Sequence, residues 1–307
     1  MSFEQCDFNA GENEFAEMRE LVRKTCTRSS LPKTWRLSLH ENWYYASLYL
    51  EEPGYFRSRA HLWRSASGQL QAFGLRYYDT LHLVVDPDCP DPDALEAELL
   101  GWAWENWVSK AGTLETAAYE ADTHLTALLH GQGFEDSGPR STLRIYELER
   151  AYPAAALPPG FQVTSLAETG AREERITLER AVWNSPMLDE LWFKGKSSSP
   201  IYSFDWDLLA VSPQGDLAAF ILIWIDWQNH SAEIDPLGTH PDYRSQGIAR
   251  ALVAQAFQRL NAAGIRWMTI ESEPDPQVPA NRLYASLEPA ATHQAHRWVQ
   301  KYSSGHC

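Results

Sequence analysis

The chain has 307 residues, 44% of them hydrophobic, which is long enough for two domains that each bury their own core. Its formal net charge of −15 argues against nucleic acid and anionic membrane surfaces as partners, because their phosphates would be repelled, and favours a cationic or amine ligand. Four scattered cysteines without C-x-x-C spacing, ten dispersed histidines, and the lack of a long apolar run or leader-like start predict a cytoplasmic protein without a metal site.

The first half of the chain alternates between strand-like and helix-like patterns. After a short strand near Phe3, apolar residues at helical spacing predict a helix over 14–22. The following stretches predict, in chain order, strands at about 61–66, 69–77 and 80–86, a helix over 93–110, a strand at 114–119 and a helix over 122–131.

The second half repeats this order. Its patterns predict a strand near 161–163, helices around 168–184, strands at 207–213, 217–226 and 231–238, a helix over 247–263, a strand at 266–272 and a helix over 279–287. The uncharged stretch 151–160, rich in proline and alanine, suits a stiff connector. The sequence therefore predicts two α/β domains, residues 1–150 and 158–307, each with a mixed sheet flanked by helices.

Three short segments of the first half recur in the second half, in the same order and at nearly constant separation. The matches pair residues 68–73 with 215–220, 84–88 with 238–242, and 128–134 with 283–289. Such spacing indicates a duplication, and a longer hairpin around 227–230 accommodates the extra residues of the second copy.

A polar, glycine-containing loop precedes the helix predicted over 247–263. It follows a strand that Pro236 and Gly238 interrupt. Backbone N–H groups at a helix start bind anions, and the positive end of the helix dipole assists them. The loop therefore predicts a pyrophosphate site, for which the candidate residues are Arg244, Ser245, Gln246, Gly247, Ile248 and Ala249.

The R-x-x-G-x-A form of this loop, preceded by His240 and Pro241, resembles the acetyl-CoA loop of the GNAT superfamily of N-acetyltransferases. Residues 280–287 resemble the last helix of the same superfamily, where a Leu-Tyr pair brings a phenol to the thioester sulfur. The resemblance implies two tandem GNAT-type domains, each with a mixed, mostly antiparallel sheet. It also implies an enzyme that uses acetyl-CoA as co-substrate and transfers the acetyl group directly to an amine, without a metal.

The resemblance also implies roles for individual residues. Leu237, Gly238 and Thr239 would lie on a splayed strand whose N–H groups hold the pantetheine and the thioester carbonyl, although an ordinary strand exit is an open alternative. Tyr284 would donate a proton to the departing thiolate, since a phenol is protonated at neutral pH, and the alternative is a tyrosine packed at a helix end. Glu233 would act as the general base through water, and a surface carboxylate is an equally open interpretation.

One feature common in the superfamily is displaced in this chain. An asparagine usually stands seven residues before the tyrosine, where this sequence has Gln277, and Asn281 stands only three residues before Tyr284. Neither residue is therefore assigned a cofactor contact.

The first copy lacks the features that would bind the cofactor. Residues 90–95 stand where the second copy has 244–249, and their two prolines remove N–H donors while two aspartates repel a pyrophosphate. Leu129, which has no proton to give, stands at the position of Tyr284. The second half is therefore predicted to bind acetyl-CoA, and the first half is predicted to be degenerate.

No motif specifies the acceptor, which we expect to be a small-molecule amine, or the oligomeric state. Two alternatives to an N-acetyltransferase stay open from the sequence. The chain could be a non-catalytic protein that binds or senses acyl-CoA, or an enzyme that transfers a longer acyl group or uses an acceptor other than an amine.

Overall fold

The structure is a computed structural model and describes residues 3–27, 33–49, 56–108, 112–152 and 155–301. The chain divides into two compact units, neither of which is contiguous in sequence. Unit 1 comprises Met1–His40, Glu51–Thr142 and His293–Cys307, and unit 2 comprises Glu41–Leu50 and Leu143–Thr292. The units differ from the predicted domains 1–150 and 158–307 in three segments: 41–50 and 143–150 belong to unit 2, and 293–307 belongs to unit 1. The predicted domain bounds, which follow the sequence repeat, stay a prediction. Pro153 and Ala154 of the predicted connector lie outside the described residues.

The first part of the chain contributes six strands and four helices within the described ranges. In chain order they are β1 Glu4–Asp7, α1 Glu12–Thr25, α2 Leu37–Glu41, β2 Ala60–Arg64, β3 Leu70–Tyr77, β4 Thr80–Val85, α3 Pro92–Trp107, β5 Thr113–Tyr119, α4 Thr123–Gly131 and β6 Glu135–Glu147. A π-helical turn, Asn42–Ala46, continues α2, and β6 runs from unit 1 into unit 2.

The remaining described residues form six further strands and five helices. They are β7 Gln162–Ser165, α5 Leu166–Thr169, α6 Arg172–Trp183, α7 Glu190–Ser197, β8 Asp207–Val211, β9 Leu217–Asp226, β10 Ser231–Thr239, α8 Ile248–Ala262, β11 Trp267–Ser272, α9 Pro279–Ala285 and β12 Ala291–Lys301. No helix in the described ranges is both long enough and apolar enough to cross a membrane.

Unit 1 is built on a sheet with the strand order β1-β2-β3-β4-β5-β12. Neighbouring strands are antiparallel except β4 and β5, which pair in parallel. Helices α3 and α4 cover one face and bury an apolar cluster that includes Trp63, Leu99 and Leu129. In the same unit, Phe15 stacks on His40 with ring centroids 4.2 Å apart.

Unit 2 is built on a sheet with the strand order β6-β11-β10-β9-β8-β7. The pairings β7–β8, β8–β9 and β9–β10 are antiparallel, and β10 pairs with β11 in parallel. Alternate residues point to one face of a strand, so Ile234 of β10 and Ile270 of β11 join the apolar residues of α8 in one core. Phe220 of β9 joins a second core with residues of α6 and α7.

A buried ion network lies between the helices and strands of this second core. Arg175 of α6 donates to Asp207 and to Glu179, each at 2.9 Å, and Lys196 of α7 contacts Glu179 at 3.1 Å. All four residues are at least 95% buried. Two cations are thus balanced by two carboxylates, which is the arrangement that buried charges require.

The structure confirms the predicted fold class, since each unit has a mixed, mostly antiparallel sheet flanked by helices. The predicted strands and helices of both halves correspond to observed elements, and the helices predicted around 168–184 are α5 and α6. Sequence patterns missed four elements, namely the helical segment 37–46, β6, α7 and β12.

Candidate functional site

Strand β10 leaves its parallel neighbour halfway along its length. Pairing with β11 runs from Ser231 opposite Trp267 to Ile234 opposite Ile270. On the other side, the register with β9 shifts and resumes with Leu237 opposite Ile221. The break falls at Asp235 and Pro236, because proline has no N–H to donate to a ladder. A gap between two neighbouring strands therefore opens at the place where the sequence predicts a splay.

The backbone beyond the break presents its polar groups to this gap. His240 donates its N–H to the Ala218 carbonyl on β9 at 2.9 Å, and Gly238 lies opposite Phe220. Since successive residues of a strand point their N–H and C=O groups to opposite sides, those of Leu237 and Thr239 point away from β9. In agreement, the Thr239 carbonyl accepts from another element, at 3.2 Å from Nε of Arg244.

Gly238 is required by packing. A Cβ atom at this position would lie 2.7 Å from Cε1 of Phe220 and 2.8 Å from Cγ1 of Val182. Both distances are far below a normal carbon contact. The absent side chain thus lets α6 and β9 approach the strand closely at the start of the gap.

The loop before α8 places a helix N-terminus at the gap. Ser245 and Gly247 both have positive φ, 62° and 80°. Gly247 is the residue before the helix and supplies no side-chain cap. The N–H groups of the first turn have no partner within a helix, so in α8 they are available to a ligand. A Cβ atom at Gly247 would meet no atom within 4 Å, which shows that the space above the helix start is open.

Two hydrogen bonds of the Arg244 side chain connect this loop to β10 and α6. Its Nε donates to the Thr239 carbonyl at 3.2 Å, and its Nη2 donates to the Val182 carbonyl at 3.1 Å. The sequence predicts only that Arg244 supplies positive charge to a bound anion. In the structure it also joins the end of β10 to the end of α6, which fixes the loop.

The gap and the loop enclose a cavity of about 480 Å³. Its wall contains nine of the residues singled out in the sequence: Leu237, Gly238, Thr239, Arg244, Ser245, Gly247, Ile248, Ala249 and Tyr284. The sequence missed six other lining residues: Tyr243, Arg250, Pro279, Ala280, Arg282 and Leu283. Gln246 and Glu233 are not part of the wall. Among the described residues, the wall includes three arginines and no acidic residue, which favours an anion in the cavity.

Tyr284 forms part of the wall from α9. Its side chain is only 6% exposed, and burial raises the pKa of its phenol to about 12 although the positive charge of Arg144 acts to lower it. The phenol is therefore protonated at neutral pH. Its hydroxyl has no hydrogen-bond partner among the described residues, while the hydroxyl of Tyr146 donates to the Tyr284 carbonyl at 2.9 Å and anchors the helix.

A polar network that the sequence does not predict connects α9 to β6 and β11. Arg144 of β6 donates to Oγ of Ser272 at 2.8 Å, and Ser272 in turn donates to Oδ1 of Asn281. The Asn281 amide donates to the carbonyls of Glu273 at 2.8 Å and Asp275 at 2.6 Å. The asparagine that is displaced relative to the superfamily pattern is thus 2% exposed and holds the backbone before α9.

Glu233 lies on the opposite face of β10 from the core. It is half-buried and stands between Trp224 of β9 and Thr269 of β11. Asp235, two residues further along the same face, is close enough for its negative charge to raise the pKa of Tyr284. Of the two carboxylates that the sequence placed on this strand, Asp235 is therefore the one that influences the phenol electrostatically.

The matching region of unit 1 is built differently. Helix α3 begins at Pro92, and Asp91 caps it by accepting from the Ala94 N–H at 3.1 Å. A carboxylate of the chain itself thus occupies the helix N-terminus, where an anion would bind in the second copy. Leu129, at the position of Tyr284, is completely buried.

Comparison with known proteins agrees with this arrangement. Residues 170–288 match the sequence model of the Acetyltransferase (GNAT) family. No protein among the curated ones matches the chain. Among the described residues, no group of three or more His, Cys, Asp or Glu side chains is placed to hold a metal ion.

Solved structures of similar fold cover both halves of the chain. A tandem GNAT protein from the clavulanic acid biosynthesis pathway is 17% identical, with a TM-score of 0.62 over 99% of this chain and 100% of that one. A GNAT-family acetyltransferase from Colwellia psychrerythraea is 13% identical, with a TM-score of 0.64 over 97% and 100%. A GCN5-related N-acetyltransferase from Sphaerobacter thermophilus is 17% identical, with a TM-score of 0.61 over 98% and 96%. At these identities the likeness concerns the fold.

Proposed function

We propose that this chain, an acyltransferase of the GNAT superfamily with two tandem domains of that fold, transfers an acetyl group from acetyl-CoA directly to an amine of a small-molecule acceptor. The observation that carries the proposal is the cavity of unit 2. It combines an uncapped helix N-terminus, three arginines and a protonated tyrosine in one wall. These groups meet two of the demands of thioester aminolysis, an anion site and a proton donor.

The pyrophosphate of acetyl-CoA would lie over the start of α8. The first-turn N–H groups, with Gly247 allowing close approach, would hold its oxygens. Arg250 and Arg282, which line the same cavity, would add positive charge. Such charge-assisted hydrogen bonds are shorter and stronger than those between neutral groups.

The thioester would lie along the open side of β10. The N–H groups of Leu237 and Thr239 point away from β9, and they would hold the pantetheine and the thioester carbonyl. A donor aimed at the carbonyl oxygen stabilises the negative charge that develops there as the amine attacks. This role requires no side chain, which explains how leucine and threonine can fill it.

Proton transfer would occur at both ends of the reacting group. Tyr284 would donate its phenolic proton to the sulfur as the C–S bond breaks. An alkylamine with a pKa near 10.4 is almost entirely protonated at neutral pH, so it must first lose a proton. Glu233, acting through water, is the base we propose, and Asp235 on the same face is the alternative.

Unit 1 would not bind acetyl-CoA in this way. Its helix start is capped by the Asp91 carboxylate, which would repel a pyrophosphate. Pro92 removes a further N–H donor from the first turn. We therefore assign this unit no cofactor.

A screen of amines with acetyl-CoA, read by release of free CoA thiol, tests the proposal. Tyr284→Phe should lower kcat by about 10²- to 10⁴-fold, the usual contribution of a general acid, with little change in the Kd for CoA. Tyr78→Phe, at a tyrosine that is 74% exposed in unit 1, is the matched control and should behave as the wild type. If the wild type binds acetyl-CoA and acetylates none of the amines, the chain is a binding or sensing protein instead.

A further inference from the structure

Arg144 is a buried cation for which the described residues supply no counter-ion. Its side chain is 8% exposed, and its hydrogen bond to Ser272 goes to a neutral hydroxyl. It forms no ion pair with any residue in the described ranges. Arg175, the other deeply buried arginine of unit 2, has two carboxylate partners at 2.9 Å. The surroundings of Arg144 therefore differ from those of an arginine in a structural ion pair.

A buried charge without a partner destabilises a folded protein, because the lost hydration is not replaced. Such a group persists where a negative charge appears during function. The guanidinium carbon of Arg144 lies 5.8 Å from the centre of the Tyr284 ring. Tyr284 forms the cavity wall and is the proton donor of the proposed function, so it is the group on which negative charge would develop.

The network around Arg144 holds it in a fixed relation to α9. Ser272 connects the guanidinium to Asn281, and the Asn281 amide is fixed by two backbone carbonyls. Asn281 and Tyr284 lie on the same short helix. The cation and the phenol therefore share one rigid support, which is what electrostatic stabilisation without reorganisation requires.

We propose that Arg144 is a positioning residue whose positive charge stabilises the phenolate of Tyr284 while the proton moves to the sulfur of CoA. The inference rests on the proposed function. When the C–S bond breaks, its electron pair stays on sulfur, which takes the Tyr284 proton as the O–H electron pair stays on the phenolate oxygen. The proton lost by the acceptor nitrogen then returns through water to the phenolate, so that the products are the acetylated amine and free CoA thiol.

The perturbed acidity of the phenol supports this role. Burial raises the pKa of Tyr284 to about 12, and Arg144 is the group that lowers it. A thiol has a pKa near 8.5, so transfer from the phenol to the thiolate is uphill. The positive charge of Arg144 reduces this difference, and its removal makes Tyr284 a weaker acid.

A double-mutant cycle with Arg144→Met and Tyr284→Phe tests the inference at saturating acetyl-CoA. Arg144→Met should lower kcat about ten- to a hundred-fold, as expected for a unit charge at this distance in an intermediate dielectric, with the KM for acetyl-CoA changed less than about twofold. In the Tyr284→Phe background the same substitution should have no further effect, because no phenolate forms. Arg144→Lys, which keeps the charge, should recover part of the kcat.

If thermal unfolding shows that Arg144→Met is poorly folded, Ser272→Ala provides a second test of the inference. It keeps the cation and removes the hydroxyl that holds it, so it should cause a smaller loss of kcat, again absent in the Tyr284→Phe background. Equal losses in both backgrounds, or an Arg144→Lys variant as slow as Arg144→Met, would overturn the inference and leave the proposed function intact. Wild-type turnover by Tyr284→Phe would instead refute the proposed proton donor, and this inference with it.

Discussion

Substitution of Gly247 by alanine separates backbone strain from cofactor binding. Gly247 has φ of +80°, and a Cβ atom there would meet nothing within 4 Å. The substitution therefore causes no clash and costs the strain of a left-handed residue, about 1–2 kcal/mol. For a domain of this size, each kcal/mol lowers Tm by roughly 2–4 °C.

The effect on the cofactor should be larger than the effect on stability. The new methyl group would occupy the space through which a pyrophosphate approaches the N–H groups of α8. Loss of one or two hydrogen bonds to a charged group, at about 1.5–3 kcal/mol each, weakens binding by roughly ten-fold to a few times 10⁴-fold. Isothermal titration calorimetry with CoA measures the Kd, and differential scanning calorimetry measures Tm.

Gly264→Ala is the matched control. Gly264 has φ of +84° and equally open surroundings, but it follows the other end of α8 and does not line the cavity. Both variants should lose similar stability, and only Gly247→Ala should lose affinity for CoA. Equal Kd values for the two variants would refute the placement of the pyrophosphate at the start of α8.

Three further predictions concern stability. Gly238→Ala should cost about 1–3 kcal/mol in chemical denaturation, because its Cβ atom would lie 2.7 Å from Phe220, and an unchanged midpoint would contradict the packing described above. Burial lowers the pKa of His40 from 6.5 to about 3, so between these pH values the unfolded state binds a proton that the folded state does not. Stability should therefore fall as the pH drops from about 6.5 towards 3. His40→Phe should reduce the slope of the unfolding free energy against pH over this range. Lys196→Met should lower the free energy of unfolding by about 3 kcal/mol, because it removes one of the two cations that pair with the buried Glu179. The additional change Glu179→Gln should recover part of that loss in the same denaturation assay.

The cavity that we propose as the anion site lies where the sequence predicts it, because the features that mark it are local. A glycine with positive φ, a helix start and the preceding interrupted strand lie within one short stretch, and Pro236 marks the break that the structure shows. Gly247 and Tyr284 are recognisable because their residue types are constrained by backbone conformation and by chemistry. The structure places both in the wall of one cavity.

Residues that act through long-range contacts could not be predicted in this way. Arg144 lies 128 positions from Ser272 in sequence, and only the pairing order of the sheet brings them together. The first part of β6 is mostly exposed and carries charged residues and a proline, so it has no alternating apolar pattern. The strand that supplies Arg144 and Tyr146 was therefore missed.

The placement of β12 in unit 1 could not be predicted for a similar reason. Strand β12 pairs with β5 along seven residues, from Ala295 opposite Tyr119 to Lys301 opposite Thr113. Its own residues alternate weakly and include several polar side chains. Backbone pairing with a distant strand is what places β12, and such pairing leaves little trace in the local sequence.

A crystal structure of the wild-type chain with CoA tests the central claim most directly. We predict one CoA per chain, with its pyrophosphate against the N-terminal turn of α8 and its thiol near the hydroxyl of Tyr284. CoA bound at the start of α3, or absent from the cavity at saturating concentration, would contradict the claim.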